Sequence, residues 1–157
     1  MFAPLRVRDF RLLFAGMVIG QMLMPLQFIA QIIWVQQNAS EEVRIVLVGL
    51  IAAVRGAGMI TFGLYGGALA DRFDRRLLLI VTQSSVLALN LLVAAVMILA
   101  ASYPLGLAPF YILTFMASAL AAIDAPTRQA LVPDILGRRL TPGGIALNSA
   151  GGQIALP

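Results

Sequence analysis

The sequence contains no cysteine, no histidine and no lysine among its 157 residues. The absence of cysteine excludes disulfides and thiolate sites, and the absence of histidine removes the commonest metal ligand. Charged side chains are also scarce, at 11% of the chain, against about 25% in an ordinary soluble domain. We therefore expect no metal, no cofactor and no water-soluble globular domain.

Apolar side chains take the place of the missing charges. Hydrophobic residues make up 61% of the chain, and the mean hydropathy is +0.94. A chain of this size leaves a large part of its surface exposed, so one core cannot bury so much apolar area. The solvent must be lipid, and the lipid bilayer is the first expected partner.

The distribution of charge predicts where the chain crosses the bilayer. No charged residue lies in 12–40 or in 77–123, and about 20 helical residues span a hydrocarbon core of about 30 Å. The apolar runs are continuous rather than alternating, which predicts an all-α polytopic transmembrane helical bundle. The first run is too long for a signal-peptide core and should be retained. The predicted spans are about 12–36, 45–70, 77–101 and 106–125, with a turn at Ser102–Gly106 and a partial fifth span from about 145.

Arginine positions predict the orientation. If the helices alternate in direction, nine arginines fall on one side of the membrane and only Arg44 falls on the other, which places the N-terminus in the cytoplasm. These arginines flank apolar runs instead of forming one patch, so nucleic acid is not an expected partner. The nine are Arg6, Arg8, Arg11, Arg72, Arg75, Arg76, Arg128, Arg138 and Arg139.

The turn after the second predicted span carries the most informative motif. It reads GGALADRFDRR over residues 66–76 and resembles the cytoplasmic signature of the major facilitator superfamily, G-x-L-a-D-r-x-G-r-r. Asp74 departs from it, standing where the general signature has glycine. The residues in register are Gly67, Leu69, Ala70, Asp71, Arg72, Arg75 and Arg76.

Two further segments narrow the resemblance to the branch similar to siderophore and drug exporters such as the enterobactin exporter. That branch commonly has ADR-x-DRR in this turn, an opening like RDFRLLFAG (here Arg8–Gly16), and a D-x-P-x-R-Q-A-L-V-P stretch (here Asp124–Pro133). The resemblance implies residues 1–157 are the truncated N-terminal half of a bacterial inner-membrane transporter with about twelve spans. It also implies export of a small amphipathic substrate by alternating access, without enzymatic activity, and a missing C-terminal half as partner.

Two alternatives stay open on the sequence. The chain could be a truncated, transport-inactive membrane fragment or interaction module. It could also be a small four-span multidrug transporter acting as a dimer, but that class is expected to carry a glutamate in its first span, and 12–36 contains no acid.

The resemblance also implies a cytoplasmic gate, in which Asp71 meets a helix of the second half. The expected gating residues are Gly67, Asp71, Arg72, Asp74, Arg75 and Arg76. Two interpretations of the arginines stay open. They pair with Asp71 or with lipid phosphate, or they only determine the orientation of the chain in the membrane. Asp74 directly precedes the third span and is expected to cap its helix. Ser40, followed by Glu41 and Glu42, is expected to cap the second.

Arg55 lies near the middle of the second span, where an arginine costs about 2.5–3.5 kcal/mol on insertion scales. It is expected to attract an anion on the substrate path or to pair with a polar group of a neighbouring helix. Helical spacing adds Gln27, Gln31 and Asn90, which either line a substrate path or form interhelical hydrogen bonds.

The fourth predicted span ends with an acid and a base. Asp124 is expected at its cytoplasmic end, with Arg128 as the natural partner.

A separate pattern concerns helix packing, because glycines in the second span allow close approach of a neighbouring helix. They are Gly49, Gly56, Gly58, Gly63, Gly66 and Gly67.

Overall fold

A computed structural model of the chain describes residues 3–99 and 106–154. This part is helical apart from short connections and contains no strand. Four of its helices are long and apolar enough to cross a membrane, so the predicted all-α polytopic fold is confirmed. A 3-10 turn at Ala3–Arg6 precedes α1 (Arg8–Asn38), α2 (Glu41–Arg72), α3 (Arg75–Leu99) and α4 (Leu107–Ile154).

The first three helices exceed the thickness of a bilayer core. They contain 31, 32 and 25 residues, which correspond to about 46, 48 and 38 Å at 1.5 Å per residue. Each begins within a few residues of a predicted span, and α1 and α2 also end within a few residues of one. The predicted end of the third span and the Ser102–Leu105 part of the turn lie outside the described residues.

A two-residue connection separates α2 from α3 and is fixed by hydrogen bonds. Phe73 is extended, and its N–H donates to Leu69 O at 3.0 Å. Asp74 Oδ1 accepts from Leu77 N at 2.8 Å, which satisfies one of the N–H groups that a helix start leaves without a partner. The predicted cap by Asp74 is confirmed.

The start of α2 differs from the prediction in one respect. Ser40 occupies the N-cap position, but its side chain makes no capping hydrogen bond. Its backbone carbonyl accepts from Val43 N and Arg44 N instead. Glu41 and Glu42 do lie in the first turn, where their charge complements the helix dipole.

Helix α4 also differs from the prediction. Helical structure continues well past residue 125, and the only non-helical backbone inside Leu107–Ile154 is at Gly137, with φ 66° and ψ 166°. This region of the backbone map is open essentially to glycine alone. The charge of Asp124 therefore does not end the helix, and the segment predicted as the start of a fifth span belongs to the helical stretch after Gly137.

The chain divides into two compact units, of which the first comprises Met1–Ile29 and Arg128–Pro157. Its core is formed by Phe10, Val132, Leu136 and Leu147, and Phe10 stacks on Phe14 with ring centroids 6.2 Å apart. Leu147 lies beyond Gly137, so the break in α4 allows the last helical stretch to contribute to this core.

The second unit, Ala30–Thr127, holds α2 close to α4 at two glycines. A Cβ at Gly58 would lie 2.6 Å from Ser118 Oγ, and one at Gly66 would lie 2.8 Å from Pro126 Cγ. The packing prediction holds for these two and is wrong for the other four, which have open space around them within the described structure: Gly49, Gly56, Gly63 and Gly67.

Aromatic side chains connect the helices of this unit at the end nearest Ser40. Trp34 stacks on Phe110 with centroids 4.9 Å apart, and its Nε1–H donates to Met97 O at 2.7 Å. Tyr111 donates its hydroxyl proton to Leu47 O, also at 2.7 Å. Each polar aromatic tip thus bonds to a backbone carbonyl of another helix, as buried tryptophan and tyrosine require.

Candidate functional site

Three polar side chains from three helices form a hydrogen-bonded chain in the second unit. Arg55 Nη1 on α2 donates to Gln31 Oε1 on α1 at 3.3 Å. Gln31 Nε2 donates in turn to Thr114 Oγ1 on α4 at 3.5 Å. Gln31 is 1% exposed and Thr114 is 3% exposed, whereas Arg55 is half-buried. We name Arg55, Gln31 and Thr114 the polar triad.

The triad lies far from both ends of α2. Arg55 is about 21 Å from Glu41 and about 25 Å from Arg72 along the helix axis. The sequence has no acidic residue in 10–40, in 43–70 or in 75–123, so the side chains at this level of the helices are neutral or basic. Gln31 accepts a hydrogen bond from the guanidinium without cancelling its charge, and the site is electropositive.

Close packing of α2 on α4 fixes the position of the triad. Gly58 is three residues beyond Arg55, and its missing side chain lets α2 approach Ser118 and Phe115 O on α4. Ser118 Oγ donates to Thr114 O at 2.9 Å, so its hydroxyl is satisfied within α4. Any side chain at residue 58 would separate the helix of Arg55 from the helix of Thr114.

Sequence reasoning found Arg55 and Gln31 but missed Thr114. Threonine and serine hydroxyls in apolar helices often bond to the preceding turn of their own helix, as Ser118 does, so a lone threonine in an apolar run carries little signal. One sign was available in the sequence. Thr114 shares a face of α4 with the small residues Ala117, Ser118 and Ala122, and small residues are typical of the face that packs against a neighbouring helix.

The other residues predicted for the substrate path lie in α1 and α3. Gln27 is partly buried one turn before Gln31 on α1, and Asn90 is partly buried on α3. Their assignment to a substrate path stays a prediction.

Asp124 and Arg128 each form a specific contact that the sequence did not predict. Asp124 Oδ1 accepts from Gln83 Nε2 on α3 at 3.0 Å. In the first unit, Arg128 is 6% exposed, and its Nη1 donates to Leu13 O at 3.1 Å. Arg128 therefore joins α4 to the backbone of α1.

The turn between α2 and α3 presents the predicted gating residues at the surface. Arg75 Nη2 lies 3.9 Å from Asp71 Oδ1, an exposed pair of a kind worth at most about 1 kcal/mol. Gly67 has open space beside it. The three other members of the set are exposed: Arg72, Asp74 and Arg76. Their gating role stays a prediction.

Within residues 3–99 and 106–154, no three acidic, histidine or cysteine side chains cluster as they would around a metal ion.

The sequence from residue 1 to residue 156 matches the family described as transmembrane secretion effector, which is of the major facilitator type. The chain belongs to this family. Comparison with curated proteins and with solved structures gives no match. Membership of the secretion-effector family, together with four apolar helices of sufficient length, identifies a multi-pass membrane protein of a transporter family rather than of an enzyme family.

Family membership changes the meaning of the polar triad. In transporters built from helices, substrate sites lie near the bilayer midplane, and ionisable residues inside membrane helices mark substrate or ion pathways. Arg55 is the only charged residue between Arg44 and Asp71, and it lies mid-helix beside a buried glutamine. The triad is therefore the candidate functional site of this secretion-effector chain.

Proposed function

We propose that the chain is the N-terminal part of an exporter that moves a small amphipathic molecule, of the siderophore or drug class, out of a bacterial cell by alternating access. The observation that carries the proposal is the polar triad, an electropositive site at mid-height in apolar helices of a chain that belongs to a transporter family. Three segments resemble the siderophore and drug exporter branch: Arg8–Gly16, residues 66–76 and Asp124–Pro133. This resemblance supports export as the direction of transport and siderophores or drugs as the substrate class.

We place the protein in the inner membrane with its N-terminus in the cytoplasm. The nine arginines that fall on one side, against Arg44 on the other, support this orientation. The α2–α3 turn then faces the cytoplasm, where an anionic leaflet attracts arginine.

A second half of the transporter is the proposed partner of the exposed α2–α3 turn. Asp71 lies in the last turn of α2, where the helix dipole is already negative, and its carboxylate is stabilised when a cation or another helix start meets it. The partly exposed guanidinium of Arg75 lies 3.9 Å from this carboxylate. A helix N-terminus of the second half would meet Asp71 and close the cytoplasmic side. We expect the DNA after codon 157 to encode further apolar spans.

Efflux from living cells tests the transport proposal. The chain, expressed with the segment encoded downstream in a bacterium that lacks its own drug exporters, should lower the accumulation of amphipathic dyes. Arg55→Gln should abolish this efflux, because the site would lose its charge. Arg138→Gln removes the same charge from an exposed position and should leave efflux intact. Equal dye accumulation in cells with and without the wild-type protein would refute the proposal.

A further inference from the structure

The carboxamide of Gln31 is bonded at both ends, which gives it a fixed direction. Its Nε2 donates to Thr114 Oγ1, and this leaves Oε1 facing the guanidinium of Arg55. Because Gln31 is 1% exposed, bulk water does not compete for these contacts. The guanidinium of Arg55 can only donate, so it requires the Oε1 end of the carboxamide, and the hydroxyl of Thr114 accepts from the Nε2 end.

The two bonds are long. At 3.3 and 3.5 Å, they exceed the 2.7–3.2 Å typical of N–H···O hydrogen bonds, and the acceptor in each is neutral. A carboxylate forms charge-assisted bonds to guanidinium that are roughly twice as strong, and its two oxygens match two parallel N–H groups. An anionic ligand can thus bind Arg55 more strongly than Gln31 does.

The depth of Arg55 along its membrane helix excludes lipid phosphate as the source of such an anion. Lipid phosphates lie outside a hydrocarbon core of about 30 Å, whereas Arg55 is about 21 Å or more from either end of α2. Along α4, Asp124 is ten residues beyond Thr114, or about 15 Å, which is beyond the reach of an arginine side chain. Neither lipid phosphate nor an acidic side chain of this chain reaches Arg55, which leaves a small molecule or a residue of the proposed second half as the source of the anion.

Apolar side chains lie one turn from the charge on two of the three helices. Trp34 follows Gln31 by three residues on α1, and Ile51 precedes Arg55 by four on α2; both are buried. Residues three and four apart share a helix face. The charge thus lies among apolar side chains, so a ligand bound at Arg55 needs an apolar body as well as an anionic head.

We infer that the polar triad is the binding site for the carboxylate of a small amphipathic molecule. Arg55 binds the anion, and Gln31 and Thr114 are positioning residues that aim the guanidinium. The inference rests on the proposed transport function for its biological role, but binding is measurable without transport.

Binding to the full chain in lipid nanodiscs tests the site. Trp34 is the only tryptophan, so its fluorescence reports from one turn beyond Gln31, and equilibrium binding of radiolabelled probes gives the same affinities independently. The probes are decanoate and decanol, which share an apolar body and differ in charge. The quantity measured is the ratio of the two affinities, because loss of structure or altered lipid partitioning changes both probes together.

We expect the wild-type chain to prefer decanoate. Arg55→Gln should lower the ratio about tenfold or more, the size expected for a charge-assisted hydrogen bond, and Arg55→Lys should restore part of it. Gln31→Glu keeps the shape of the side chain but installs a competing carboxylate, and it should abolish the preference. Thr114→Val should lower the ratio about threefold, because it removes only the hydrogen-bond partner of Gln31 Nε2 and leaves the guanidinium in place.

Gln36→Glu is the matched control, since it makes the same chemical change at an exposed position of α1 and should leave the ratio unchanged. A wild-type ratio near one, or a ratio that Arg55→Gln and Gln31→Glu do not change, would overturn the carboxylate site. Dye efflux without decanoate preference would refute this inference alone, and decanoate preference without efflux would refute the transport proposal alone.

Discussion

Replacing Gly58 with alanine perturbs the contact that holds α2 against α4 beside Arg55. The added Cβ would lie 2.6 Å from Ser118 Oγ, 2.9 Å from Phe115 O and 3.0 Å from Ala119 N. Two of these atoms belong to the α4 backbone and cannot rotate away. They lie about half an ångström inside ordinary van der Waals contact, so the two helices must move apart.

The same substitution at Gly56 provides the reference, because Gly56 has nothing within 4 Å of an added Cβ. Both variants gain the helix propensity of alanine over glycine, about 1 kcal/mol, and this gain cancels when they are compared. Overpacking costs about 1–3 kcal/mol. Gly58→Ala should therefore be less stable than Gly56→Ala by that amount, which corresponds to a melting temperature about 2–12 °C lower.

Thermal unfolding in a mild detergent, followed by far-UV circular dichroism, measures this difference. Decanoate binding should weaken in Gly58→Ala as well, since separation of α2 from α4 moves Arg55 away from Thr114. Equal melting temperatures for the two variants would show that α2 and α4 do not meet at Gly58, and the position assigned to the polar triad would be wrong.

Other variants test single contacts by the same unfolding measurement. Asp74→Ala should destabilise the chain by about 0.5–2 kcal/mol through loss of the α3 cap, and Asp74→Ser should recover most of this; no loss in the alanine variant would contradict the cap. Gly137→Ala should cost about 1–3 kcal/mol, because its φ is positive, and a neutral effect would argue against the break in α4. Trp34→Phe should cost about 0.5–1.5 kcal/mol by removing the bond to Met97 O while keeping the aromatic stack, and unchanged stability would refute that bond.

The sequence predicted the helices well where charge bounded an apolar run. Predicted spans at 12–36 and 45–70 correspond to Arg8–Asn38 and Glu41–Arg72, because a bilayer-length apolar run can satisfy its backbone only as a helix. Helix α4, Leu107–Ile154, extends beyond the predicted fourth span at 106–125. A charge such as Asp124 marks a change in hydropathy, but its side chain, which accepts from Gln83 Nε2, does not interrupt the backbone hydrogen bonds of the helix.

The candidate site was predictable only in part. Depth identified Arg55, and helical periodicity identified Gln31, since both properties can be read along a single helix. The contact of Gln31 with Thr114 depends on how α1 and α4 are rotated against each other, which no single-helix pattern contains. The same limit explains why six glycines in α2 suggested close packing, while only Gly58 and Gly66 meet a neighbour.

The proposed orientation places the α1–α2 connection outside and the α2–α3 turn in the cytoplasm. The absence of cysteine makes single-cysteine labelling with an impermeant maleimide direct. Ser40→Cys and Phe73→Cys place the thiol at exposed positions of the two connections. Cysteine at 40 should react in intact cells, and cysteine at 73 only after permeabilisation; the reverse pattern, or labelling of both in intact cells, would contradict the account.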